Sequence, residues 1–180
     1  MKLRDADKRL NERYAKHMPS AVRLAFLTLG GNDAAEDIAQ DAFLRCATRL
    51  SIDESDDRFG AYLRTAVTRG ALDLMRQRRR QQLRESRSCN GDESINRAED
   101  SVDLEDALWE RIRRLPPRQR AVLVLRFWAD MSQSSIAATL GIRTGTVKSA
   151  LARAIESLRE SEWSEYGTRN AFKGSPKVRR

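Results

Sequence analysis

Metal ligands are scarce in this sequence. Its 180 residues include two cysteines, Cys46 and Cys89, and one histidine, His17. A Cys/His centre therefore lacks ligands, and the cysteine spacing suits neither a redox pair nor a disulfide framework. No metal and no cofactor is expected, and without a glycine-rich nucleotide loop an enzyme acting on nucleic acid finds no support. The chain is expected to catalyse nothing itself. No apolar run approaches a membrane span, and the charged segment from Met1 to Arg13 has no apolar signal core, so the expected location is the cytoplasm. Proline (4) and glycine (9) are also few. Many short strands joined by tight turns are disfavoured, and an all-α fold is expected.

What remains is apolar enough, at 40%, for compact cores, and its charge is uneven. Residues 1–80 hold 16 basic against 12 acidic side chains, residues 81–110 hold 3 against 9, and residues 111–180 hold 15 against 5. The net values are +4, −6 and +10. A basic C-terminal half suits a polyanionic partner, although a merely solvated basic surface gives the same count.

Apolar periodicity divides the chain. Leu10, Tyr14, Met18, Val22, Ala25, Phe26 and Leu29 make one helical stripe, which Pro19 is expected to divide or bend. Gly30-Gly31-Asn32 is a turn, with Asn32 or Asp33 placed to cap a second helix whose stripe is Ala35, Ile38, Ala39, Ala42, Phe43, Cys46, Ala47 and Leu50. Cys46 reads as a small core residue. Ser51 to Arg58 reads as a loop. Phe59 opens a third stripe through Tyr62, Leu63, Ala66, Val67 and Met75, ending in a run of arginines. These three helices form a first domain, residues 1–80. Residues 81–103 are polar and acidic and read as a flexible linker. A second domain, residues 104–163, starts with the stripe Leu108, Ile112, Leu115, stopped by Pro116-Pro117. A further helix follows, with Val122, Leu123, Leu125, Phe127 and Trp128 as candidate core. Residues 164–180 form a basic tail expected to be disordered.

Within the second domain Ser132 can cap a short helix to Leu140, Gly141 can make a tight turn, and Thr144 can cap a longer helix to about Arg159. That pattern is a helix-turn-helix, although plain helical packing shares it. On the longer helix Val147, Leu151, Ala154, Ile155 and Leu158 fall on an inward arc. Gly145, Thr146, Ser149 and Arg153 face away, with Lys148 at the flank and Arg143 and Thr144 at the start. Small residues allow close approach to a groove, and hydroxyl and cationic groups suit base edges and phosphates.

Leu115-Pro116-Pro117-Arg118-Gln119-Arg120, followed by Gly145-Thr146-Val147-Lys148-Ser149, resembles region 4 of bacterial sigma factors of the extracytoplasmic-function (ECF) type. Regulators of the LuxR type carry similar helix-turn-helix domains, so this half alone leaves a free-standing transcriptional regulator as the alternative. The N-terminal half decides for the sigma family. Ala35-Glu36-Asp37-Ile38-Ala39-Gln40-Asp41-Ala42-Phe43 resembles its polymerase-binding helix. Phe59-Gly60-Ala61-Tyr62-Leu63, with Asp73 and Arg76, resembles its promoter-melting helix.

The resemblance implies that Glu36, Asp37, Gln40 and Asp41 bind core RNA polymerase at the β′ clamp helices, and that the second domain meets the β flap. Asp37, Gln40 and Asp41 already share an arc off the apolar stripe, where an ordinary solvated acidic face is the simpler reading. It further implies that Arg64, Thr68, Arg69, Arg76, Arg78, Arg79 and Arg80 grip the non-template strand of the −10 element, with the loop Ser51 to Arg58 pocketing an extruded base. Arg143, Thr144, Thr146, Lys148, Ser149 and Arg153 would then read the −35 element. An anti-sigma factor is an implied partner. The chain departs from the family pattern at Tyr62 (usually tryptophan), Arg69 (asparagine) and Ser135 (glutamate), and at Ala150 and Ile155, where basic residues are frequent.

Overall fold

A computed structural model of the chain describes the backbone of residues 2–31, 34–51, 53–85 and 104–171. Among these residues there are seven helices and no strand: α1 (Lys2–Leu29), α2 (Ala35–Arg49), α3 (Asp56–Glu85), α4 (Leu104–Arg114), α5 (Pro117–Phe127), α6 (Gln133–Leu140) and α7 (Thr144–Ala171). The expected caps Asn32 and Asp33, Cys89, most of the acidic linker and the tail from residue 172 lie outside the described residues.

The first three helices form a bundle around the predicted stripes. Phe59, Val67, Ala39, Ala42 and Cys46 are fully buried, and Phe43 stands edge-on to Phe59 at 5.4 Å between ring centroids. Pro19 does not divide α1. The helix runs through it, with Met18 and Ala21 on either side buried, so packing outweighs the local preference for a break. The loop after α2 is shorter than its polarity suggests. Asp56 and Asp57 already belong to the first turn of α3, where carboxylates suit the helix dipole. At its other end α3 continues to Glu85, five residues into the segment read as linker.

The second unit packs α5 against α6 and α7. Ala121, Val122, Leu123, Val124 and Leu125 are all buried, as are Ile136, Val147 and Ala154. Phe127 (67% exposed) and Trp128 (52%) are not core, contrary to expectation. They sit at the end of α5, where the chain turns away through Asp130 (φ 45°), a left-handed position that aspartate tolerates. Helix α7 extends twelve residues beyond Arg159 and takes in much of the segment expected to be a disordered tail. The two units touch: α1 and α3 pack against α5, and α3 packs against α6.

Candidate nucleic-acid and protein interfaces

The turn between α6 and α7 is built as its residues dictate. Ser132 Oγ accepts the Ser135 backbone N–H at 3.1 Å, so α6 is capped without the glutamate of a capping box. Gly141 ends α6 in the left-handed conformation (φ 63°, ψ 39°) and donates its N–H to the Ala137 carbonyl. The Arg143 carbonyl accepts the N–H groups of Thr146 and Val147, which starts α7 at Thr144. Thr144 is thus the first helical residue, and no side-chain cap is made by it among the bonds described.

Arg143, Thr144, Gly145, Lys148, Ser149 and Arg153 are exposed along the outer face of α7, with Thr146 half-buried beside them. Ser149 donates its hydroxyl to the Thr146 carbonyl at 3.1 Å and has its lone pairs free to accept. First-turn N–H groups, hydroxyls and cations together can take phosphate oxygens and base edges. Ile155, expected inward, is 38% exposed, whereas Ala150 is 7% exposed. Ala150 therefore faces the core, and its lack of charge removes nothing from the outer face.

On α2, Glu36, Asp37, Gln40 and Asp41 are all exposed. Gln40 donates to Glu36 at 3.1 Å, and Asp41 pairs with Arg45. The periodicity does not reveal Leu44, which is 63% exposed one turn beyond Gln40 and Asp41 on the same arc. An apolar side chain inside a carboxylate face is a recognition pattern, since the apolar area drives association while the charges set orientation. Cys46, on the opposite face, is fully buried, and burial pushes its thiol up to about 11, so it is inert as a nucleophile.

The residues on α3 divide. Arg64, Arg76, Arg78, Arg79 and Arg80 are exposed, and Arg76 pairs with Asp73 at 2.5 Å. Thr68 is not available to DNA. It is fully buried and donates its hydroxyl to the Arg64 carbonyl at 2.8 Å, on the arc it shares with buried Ala71 and with Met75. Arg69 is exposed but turned to the second unit, where it donates to the carbonyls of Thr139 (2.9 Å) and Ala138 (3.3 Å). In this arrangement neither residue can grip a DNA strand. Arg49, not singled out from the sequence, donates to the Tyr62 hydroxyl at 3.3 Å and puts a cation beside that aromatic ring.

The segment before α3 is bolted to α1. Arg9 meets Asp53 at 2.9 Å, Arg13 donates to the Glu54 carbonyl and lies over the Phe59 ring at 4.9 Å, and His17 meets Asp56 at 2.8 Å. Lys16 also bonds Asp56, and these two donors, Lys16 foremost, hold its carboxyl down at about 2. Among the described residues no cluster of three or more His, Cys, Asp or Glu could hold a metal, and no helix is long and apolar enough to cross a membrane.

Comparison with known proteins gives the same two-part division. Residues 13–81 match the family described as sigma-70 region 2, and residues 105–158 match sigma-70, region 4. The RNA polymerase sigma-E factor of Streptomyces coelicolor is 37% identical over 131 residues, covering 70% of each chain. The ECF RNA polymerase sigma factor SigW of Bacillus subtilis is 28% identical, covering 77% of this chain and 80% of its own. Among solved structures, the sigma factor RpoE in complex with the anti-sigma factor NepR from Bartonella quintana shares the fold with a TM-score of 0.62 at 24% identity, over 83% of this chain and 94% of that one. CnrH, solved with the cytosolic domain of CnrY, gives 0.58, also at 24%, over 86% and 88%.

Proposed function

Because this chain belongs to the sigma-70 family, in its extracytoplasmic-function group, we propose that its surfaces divide the work of a sigma factor as follows. The chain binds core RNA polymerase and directs promoter-specific initiation. Binding runs through the exposed arc of α2, with Glu36, Asp37, Gln40 and Asp41 facing the β′ clamp helices and Leu44 as the apolar contact among them. Arg64, Arg76, Arg78, Arg79 and Arg80 of α3 take the non-template strand of the −10 element. The outer face of α7, from Arg143 to Arg153, takes the −35 element, and the second domain meets the β flap.

The polymerase performs the chemistry in the cytoplasm, and this subunit supplies address and strand opening. An anti-sigma factor is its regulator, as RpoE is solved with NepR. The observation that carries the reading is the order of two matched regions on one chain, region 2 before region 4. A free-standing regulator needs only the second.

The test is gel filtration with core polymerase. The chain should co-elute stoichiometrically, and Asp37→Arg with Gln40→Ala should abolish co-elution with helicity unchanged. Retained co-elution and transcription by that variant would remove the α2 arc from the interface.

A further inference from the structure

A row of basic side chains on α1 meets the head of α3. Arg9, Arg13, Lys16 and His17 fall at i, i+4, i+7 and i+8, on one face of the helix. Each finds a partner within residues 53–59. Arg9 meets the Asp53 carboxylate, Arg13 the Glu54 carbonyl and the Phe59 ring, and Lys16 and His17 take one oxygen each of Asp56. An exposed pair such as Arg9–Asp53 adds little stability. What the row fixes is conformation. None of the described residues in 50–55 is buried, so the core does not dictate the shape of this turn and the contacts from α1 do.

The turn also carries four carboxylates in five residues, Asp53, Glu54, Asp56 and Asp57, at the head of the helix assigned above to the −10 strand. Asp57 and Arg64 are seven residues apart on α3, roughly 10 Å, about one Debye length at physiological salt. Bare carboxylates there would repel a phosphate strand lying along α3. Asp53 is paired with Arg9, Asp56 with Lys16 and His17, and Glu54 with Arg58 at 3.0 Å. The row reaches Arg64 as well. A Cβ at Gly60 would stand 3.0 Å from His17 Cε1 and 3.5 Å from Arg64 Nη1, so glycine leaves open the space on which imidazole and guanidinium converge. Asp56 anchors the imidazole at 2.8 Å through Nε2.

Resting on the assignment of α3 to the −10 strand, we propose that Arg9, Arg13, Lys16 and His17 position the −10 site from behind: they fix the turn ahead of α3, neutralise its carboxylates and, with Gly60, seat Arg64. Selectivity for the −10 element then depends on a helix whose charges are already engaged by the protein. These are positioning residues, and their effect is on discrimination between DNA sequences.

The test uses holoenzyme on a promoter fragment taken from its own mapped transcript starts, with the downstream sequence block intact or scrambled. The readout is the ratio of the two affinities, which a loss of folded chain does not move. Arg13→Ala should lower that ratio about tenfold, the scale of one lost charged hydrogen bond, and Arg13→Lys, which keeps a donor for the Glu54 carbonyl, should recover most of it. Gly60→Ala should also lower it several-fold. Alanine is the better helix former, so this variant keeps α3 folded while its Cβ displaces His17. Both variants should co-elute with core polymerase as the parent does. The positioning role is overturned if Arg13→Ala and Gly60→Ala keep the parental ratio, or if they weaken core binding and both DNA affinities alike. Arg64→Ala in the same assay separates this from the reading beneath it. A parental ratio there removes Arg64 from the −10 site and the proposal with it, whereas a lowered ratio there beside parental ratios in the other variants sinks the positioning role alone.

Discussion

At the scale of single residues, charge is placed where it can be held. Asp56 is the plainest case. Its carboxyl, at about 2 in the fold because Lys16 and then His17 donate to it, has an ordinary value of 3.8. The stabilisation is present above about pH 4 and is lost as pH falls from there toward 2. Asp56→Asn should lower the urea midpoint at neutral pH, and the gap to the parent should close as pH approaches 2; a gap constant with pH would contradict this. The α2 arc, Asp37 through Asp41, was legible because a carboxylate off an apolar stripe must face solvent or a partner. Thr68 and Arg69 were not legible. Periodicity reports one buried face per helix, whereas α3 is covered on a second side by α5 and α6. Leu44 escaped for the converse reason, an apolar residue that breaks the pattern of an exposed arc.

At the scale of elements, the helix-turn-helix is written in short-range chemistry, and it formed where Ser132, Gly141 and the start of α7 place it. Gly141 is left-handed, but a Cβ there would meet nothing within 4 Å. Gly141→Ala should therefore cost only the backbone term, about 1 kcal/mol in chemical denaturation, with −35 binding retained. A loss of several kcal/mol would mean that the turn is packed more tightly than described. Element ends were less legible than their middles. Pro19 sits inside α1 because tertiary burial on both sides outweighs the local preference for a break. Asp56–Asp57 read as loop because acidic residues suit a helix N-terminus and a loop equally. The end of α7 was hidden because residues 160–171 are mostly polar and offer no continuous apolar stripe in the sequence.

For the whole molecule, the order of the two domains was legible from Ala35–Phe43, Phe59–Leu63 and Leu115–Ser149, motifs made of side chains in fixed sequence. The contact between the domains was not. Its strongest bonds run from arginine side chains to backbone carbonyls, and a carbonyl has no signature in a sequence. Arg120, which donates to the Thr28 and Leu29 carbonyls at 2.9 Å, gave no signal beyond its membership of the Leu115–Arg120 motif. Whether one chain brings polymerase to a two-part promoter and opens it is read out by adding the purified chain to core polymerase on fragmented genomic DNA and mapping the 5′ ends of the transcripts. New starts should appear that share an upstream and a downstream sequence block, absent with core polymerase alone. Transcripts indistinguishable from those of core polymerase alone would contradict that function.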